Sequence, residues 1–180
     1  MSISLRRATA DDVDFLWLML YEASYAAEDG VPDVAALHRH PLLSRYVEGW
    51  GRPTDLGVVA VDDDAGEPVG AAWVRLLTGD GAGFGWVDDD TPELAIAVQA
   101  HERGRGVGER MLRALLDAAA DRFAAVSLSV RADNPALRLY ERVGFQVVGR
   151  TDVPDVPAAV SITMKIDLPA PATGRSRRRC

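Results

Sequence analysis

ELAIAVQAHERGRGVGERMLRALL, residues 93 to 116, decides how this chain is read. It opens as an alternating apolar run and passes through a loop with glycines at 104, 106 and 108. It then turns apolar at helical spacing through Val107, Met111, Leu112 and Leu115. The pattern predicts a strand over Glu93 to Gln99 and a helix over Gly106 to Phe123. A helix N-terminus exposes backbone N–H groups and the positive end of the peptide dipole. With Arg103 and Arg105 beside it, such a loop suits an anion. The bland alternative is a glycine-rich turn carrying solvated arginines.

Two nucleotide-binding motifs are excluded at once. The dinucleotide fingerprint G-x-G-x-x-G would place a glycine at 109, where this chain has Glu109, a carboxylate that a pyrophosphate would repel. The phosphate loop of nucleotide hydrolases needs a lysine after its last glycine, and none is present.

Outward from this loop, the chain reads as a mixed α/β domain. Ser4 to Ala8 is a first strand, and Thr9-Ala10-Asp11-Asp12 starts a helix predicted to run to about Ala27. A second, weaker helical segment covers Val34 to Trp50 with a break near Pro41. Leu56 to Val61 and Val69 to Leu77 form a hairpin. TGDGAGFGWVDDDTP, 78 to 92, is a mobile loop with exposed aromatics at Phe84 and Trp86. After the central helix come a strand at Ala125 to Val130, a helix from Asn134 or Pro135 to Val143, and a strand from Phe145 to Gly149. The last strand is Ala159 to Ile166. Residues 1 to 167 are expected to form one domain and residues 168 to 180 a disordered, arginine-rich tail.

The chain has 180 residues, is 48% hydrophobic and 26% charged, and carries a net charge of −7. An ordinary globular protein is expected, with nucleic acid disfavoured as a main partner because its phosphates would be repelled. The longest strongly apolar run, Phe15 to Tyr21, falls far short of a membrane span. The early charges at Arg6, Arg7, Asp11, Asp12 and Asp14 do not fit a secretory signal, so a cytoplasmic protein is expected. Cys180 is the only cysteine and Lys165 the only lysine, which leaves no core thiol nucleophile and little scope for a lysine Schiff base. His38 and His40, two residues apart, do not share a helix face, and no metal site is expected.

One βα unit downstream of the glycine loop lies RADNPALRLYERVGF, Arg131 to Phe145. Arg103-Gly104-Arg105-Gly106-Val107-Gly108 matches [QR]-x-x-G-x-[GA], and NPALRLYERVGF follows at the expected separation. Together they resemble the GNAT superfamily of N-acetyltransferases. The resemblance implies a single domain around a mostly antiparallel sheet of six or seven strands. That sheet is splayed between its fourth and fifth strands and flanked by about four helices. It implies acetyl-CoA as co-substrate, with the pantetheine arm along the backbone of Ile96, Ala97 and Val98. The pyrophosphate would lie on the amides of Arg103, Gly104, Arg105, Gly106, Val107 and Gly108, and Asn134 would touch the pantetheine arm. Asn134 also suits a helix cap, and both roles can hold.

The chemistry implied is direct attack of an amine on the thioester in a ternary complex. Tyr140 matches the family's general acid beside the sulfur; its alternative is a core aromatic packed near Leu137 and Phe145. Some members carry a basic glutamate in the fifth strand, but Ser129 stands there, and a serine is no base at neutral pH. Glu93 is the best substitute, acting through a water, and the alternative is a surface carboxylate near Asp88 to Asp90. His101 is a weaker candidate on the coenzyme side. The acceptor, an amine of a small molecule or peptide, would lie among residues 20–50, 79–92 and 151–157. There Asp88, Asp89, Asp90, Asp152 and Asp155 give negative charge, and Tyr25, Trp50 and Trp86 give aromatic walls. A solvated acidic rim is the plainer account of most of those charges. Two rival functions follow: a catalytically degenerate acyl-CoA-binding regulatory module, or nucleic-acid binding through the arginine tail. A homodimer stays open.

Overall fold

The structure, a computed structural model, describes residues 2–153 and 159–170. The expectations for Asp155 and for most of the arginine-rich tail lie outside these residues. The apolar strand segments fold into one seven-stranded sheet in the order β1-β2-β3-β4-β5-β7-β6. These are β1 (Ile3–Arg7), β2 (Leu56–Asp62), β3 (Pro68–Arg75), β4 (Glu93–Val98), β5 (Ala125–Arg131), β6 (Gln146–Asp152) and β7 (Val160–Asp167). Four α-helices flank the sheet: α1 (Val13–Ala23), α2 (Val34–Leu37), α3 (Val107–Ala119) and α4 (Leu137–Val143). All neighbouring strands are antiparallel except β4 and β5.

Successive strand residues point to opposite faces, and each face has its own core. Val58, Ala60, Ala72, Val74 and Leu94 pack with Met111, Leu112 and Leu115 of α3 and with Tyr140 of α4. Val59, Ala71, Trp73 and Ala97 pack on the other face with Leu16, Trp17 and Leu20 of α1 and with Tyr46. Glycines mark two helix ends. Gly106 caps the start of α3 at φ 78°, and Gly144 ends α4 at φ 117°, both left-handed conformations that a Cβ would penalise.

The parallel pair is the feature that makes a site. β4 and β5 are in register only at Glu93 and Ser127, after which the strands diverge. The backbone edge of β4 from Leu94 to Val98 therefore faces a wedge instead of a strand. A mostly antiparallel seven-stranded sheet, splayed between its fourth and fifth strands, is the architecture expected from the sequence.

Several boundaries differ from the sequence reading. The first helix begins as a 3-10 turn at Ala10–Asp12 and stops at Ala23 rather than Ala27. Tyr25 lies just beyond it at φ 55°, a left-handed conformation unusual for an aromatic residue. The segment from Val34 to Trp50 holds only the single turn of α2 and a 3-10 turn at Leu43–Tyr46. Its backbone is held by long-range contacts instead. The buried Trp73 indole donates to Tyr46 O at 2.9 Å. Arg75, fully buried, donates to the carbonyls of Arg45, Glu48 and Gly49 and pairs with Asp55. Burial pushes the Arg75 guanidinium below its ordinary value, with Asp55 acting against the shift.

Candidate active site

The wedge opens onto a cavity of about 410 Å³. One wall comes from the end of α1 and the residues after it, including Leu20, Ser24, Tyr25 and Asp29, and continues through His40, Leu43 and Tyr46. Phe84 comes from the glycine-rich loop, and Leu94, Ala95 and Ile96 come from β4. The opposite wall carries Ser129, Arg131, Asn134, Tyr140, Asp152, Ser161 and Thr163. Ser129 and Ser161 share a hydroxyl–hydroxyl bond of 2.6 Å across β5 and β7.

The wall is latched where α1 meets the open end of β5. The Arg131 guanidinium lies 4.5 Å over the ring of Tyr25 and is also bound by the Asp29 carboxylate. Its cation is thus shared by a π face and a carboxylate, and the strained Tyr25 backbone is held in place.

The glycine loop leads from β4 into α3, as expected. Gly104 and Gly106 have φ of 75° and 78°. The first intrahelical bond runs from Arg110 N to Gly106 O. The N–H groups of Val107, Gly108 and Glu109 precede it and point out of the helix start, which suits phosphate oxygens. Arg103 donates through Nε to Val98 O at 2.9 Å and pairs with Glu22 of α1, also at 2.9 Å. Arg105 pairs with the buried carboxylate of Glu102. Ile96 borders the cavity, whereas Ala97 packs into the α1-side core. Asn134 accepts from Ala136 N at 2.8 Å in the turn ahead of α4 and borders the cavity, while α4 starts at Leu137 with Ala136 as its N-cap, later than expected. Glu109 is bound by Arg113 and Arg142 on the helix surface.

Tyr140 sits in the wedge, packed edge-on against Phe145 at 5.9 Å. Core packing and a cavity-lining position are therefore both present. Burial, with Tyr25 adding to it, raises this phenol well above its ordinary range. It is a protonated donor at neutral pH. Its hydroxyl makes no hydrogen bond among the described residues.

Glu93 is not the surface carboxylate considered as an alternative, because it is only 1% exposed. Its two oxygens accept from Gly83 N and Gly85 N, each at 2.8 Å, and from the Tyr46 hydroxyl at 2.6 Å. Desolvation nevertheless raises its pKa, with those three donors opposing. The loop read as mobile is thereby fastened to the sheet. A Cβ at Gly83 would lie 2.4 Å from the Tyr46 hydroxyl, and one at Gly85 would lie 2.6 Å from the backbone of Leu128. That close approach is why glycine alternates here.

Other expected wall residues lie elsewhere. Trp50 bonds to Thr9 O and stacks near Arg75, away from the wedge. Trp86 and Asp89 bond to each other on the loop's outer side, and Asp88 and Asp90 are exposed with them. Of the described acids expected at the acceptor end, Asp152 borders the cavity. His38 stacks on Trp17 at 3.8 Å, while His40 accepts two backbone amides through Nδ1. Exposed His101 lies 4.0 Å from Glu102, just ahead of the glycine loop. Among the described residues, no group of three or more His, Cys, Asp or Glu is placed to hold a metal. None of their helices is long and apolar enough to cross a membrane.

The sequence reading missed Tyr46, Asp29 and Arg131. No local pattern distinguishes them, because each acquires its role from a residue at least 27 positions away. Only the spacing Gly79, Gly81, Gly83, Gly85 hinted at a close backbone approach.

Comparison with known proteins agrees with this geometry. Residues 17–145 match the model of the "Acetyltransferase (GNAT) family". The mycothiol acetyltransferase of Clavibacter sepedonicus is 35% identical over 149 residues, covering 80% of this chain and 43% of that protein. The chain thus spans less than half the length of this relative. The N-alpha-acetyltransferase RimI of Mycobacterium tuberculosis is 49% identical over 74 residues, 40% of this chain and 46% of that protein. The structure of yncA from Salmonella typhimurium with its cofactor acetyl-CoA superposes with a TM-score of 0.70 at 20% identity, covering 96% and 97% of the two chains. With a family model spanning most of its length and the splayed sheet, this chain belongs to the GNAT acetyltransferase family.

Proposed function

We propose that the protein is an N-acetyltransferase that moves an acetyl group from acetyl-CoA to an amine of a small molecule or peptide, by direct attack in a ternary complex. The observation that carries this reading is the cavity at the splay, where the open β4 edge at Leu94 to Ile96 meets Tyr140, with the glycine loop following that edge in the chain between β4 and α3. Acetyl-CoA supplies an activated acyl group.

The residues that would hold it are the β4 edge at Ile96, Ala97 and Val98, the loop from Arg103 to Gly108, and Asn134. The open strand edge suits the amides of a pantetheine arm, and the left-handed glycines let backbone N–H groups approach a pyrophosphate. Arg103 and Arg105 add positive charge, although each also holds an acid of this chain.

Two proton transfers accompany acyl transfer to an amine. The ammonium must become a neutral nucleophile, and the departing thiolate is stabilised by gaining a proton. Tyr140, kept protonated by burial, is the donor to the sulfur. Glu93, raised toward the operating pH by desolvation, is the proton's final acceptor on the other side. Asp152 supplies negative charge at the cavity, and Tyr25 an aromatic face, for a cationic acceptor. The relatives' names, a mycothiol acetyltransferase and an N-alpha-acetyltransferase, are both compatible with such an amine. An acetyltransferase domain over residues 1–167, a cytoplasmic location and a homodimer go with the reading; sedimentation tests the last.

The test is thiol release from acetyl-CoA with a panel of small amines and peptides. Tyr140→Phe should lower kcat by about 10²-fold or more while leaving the KM for acetyl-CoA near the wild-type value. Coenzyme binding with no turnover for any amine, and no effect of Tyr140→Phe, would favour the degenerate binding module.

A further inference from the structure

Glu93 stands behind the cavity wall, and Tyr46 is part of that wall. Of the three donors on the Glu93 carboxylate, two are backbone amides, which cannot hand over a proton. The third is the Tyr46 hydroxyl at 2.6 Å. A phenol has one proton and two acceptor sites. Tyr46 gives its proton to Glu93 and accepts from Phe84 N at 2.9 Å, which leaves one acceptor site. The ring is locked in place by the Trp73 and Arg75 bonds to the carbonyls around it.

We propose that Tyr46 is a proton relay of the acetyl-transfer reaction, accepting a proton from the acceptor ammonium while passing its own to Glu93. The proposal rests on the N-acetyltransferase reading above. One N–H bond of the ammonium breaks as an O–H bond forms at Tyr46. The original Tyr46 O–H bond breaks as one forms on Glu93. The amine is left neutral with its lone pair, Tyr46 is unchanged, and the carboxylate becomes a carboxylic acid. No further reactant is needed. Burial raises both groups, so Tyr46 starts protonated and Glu93 binds the arriving proton more readily than an exposed carboxylate would.

Tyr25, Asp29, His40, Arg131, Tyr140 and Asp152 also border the cavity, and Arg75 is charged behind it, paired with Asp55. All remain in the variants, so a difference between variant and wild-type profiles isolates the relay. The experiment measures thiol release against pH for wild type, Tyr46→Phe and Glu93→Gln. Each is measured with a strongly basic amine and with a weakly basic one of similar size.

The relay predicts a kcat about 10²-fold lower in Tyr46→Phe with the strongly basic amine. The variant's rate should climb with pH toward the amine's own pKa, and the gap should narrow for the weakly basic amine, which arrives unprotonated. Glu93→Gln should behave alike and carries the test if Tyr46→Phe fails to fold. In infrared difference spectra, adding amine to wild type should produce a protonated-carboxyl band that Glu93→Gln lacks. A wild-type profile in Tyr46→Phe overturns the relay, as does an equal loss at every pH with both amines, which would mark a purely structural role. Wild type that releases thiol with none of the amines overturns the N-acetyltransferase reading itself, and the relay with it.

Discussion

The two sides of the wedge are built in different ways. The side proposed for the coenzyme is, apart from Asn134, one continuous stretch, Glu93 to Glu109, with left-handed backbone at Gly104 and Gly106. The side proposed for the acceptor is assembled from segments around residues 20–31, 40–46, 84, 129–131, 140 and 151–163. Of these, residues 24–31, 40–46 and 84 carry little regular structure of their own, and long-range hydrogen bonds hold them in place. A backbone-built site tolerates changes in most of its side chains but not in its φ angles. A site assembled from distant segments fails when one of its ties is cut.

Cutting such a tie should give the largest effect on stability. Arg75→Leu leaves Asp55 buried without its partner and frees the carbonyls of Arg45, Glu48 and Gly49. A loss of about 3–5 kcal/mol is expected in denaturant unfolding. Any protein that still folds should lose acceptor turnover while keeping coenzyme affinity. If coenzyme binding failed first, the division between the two sides would be wrong.

Gly106→Val tests the other side. A β-branched residue at φ 78° costs about 1–2 kcal/mol. The change should raise the KM for acetyl-CoA about tenfold, with the KM of the acceptor unchanged. Equal rises in both constants would show that the loop shapes the whole wedge.

The smallest effect is expected at Asp12, which touches neither side. Its carboxylate accepts from Arg6 at 2.7 and 2.8 Å and from Thr9 N at the start of α1. Asp12→Ala should cost about 1 kcal/mol near neutral pH without altering either KM. The Arg6 hydrogen bonds, with help from Thr9, hold this carboxyl below its ordinary value. A depressed carboxyl contributes stability above its unfolded pKa and loses it as pH falls through the folded one. The gap between variant and wild type should therefore close in acid, as read by melting temperature against pH. A gap that persisted there would mean the carboxylate's charge is not what stabilises the cap.

What was legible in the sequence follows the same division. Strand–loop–helix periodicity from Glu93 to Ala119, and the Asn134 to Phe145 motif, place the glycine loop and Tyr140 without reference to any other part of the chain. The hairpin of β2 and β3 was legible for the same reason, since an apolar run of strand length and a turn are local properties. The segment from Val34 to Trp50 was not. Its weak helical pattern is overridden by Arg75 and Trp73, which bond its carbonyls from another strand. Glu93 shows the limit within one residue. Sequence could nominate it, but whether it is a surface charge or a buried acceptor of three donors depends on where the Gly83–Gly85 loop comes to rest.

The sequence by itself determined the sheet's strands, the glycine turn and the family, because those depend on residue type at short spacing. Only the tertiary structure decided that Tyr46, Asp29 and Arg131 border the site and that Trp50 and Trp86 do not. Burial and long-range hydrogen bonds are properties of the packed chain, and no window along the sequence contains both partners.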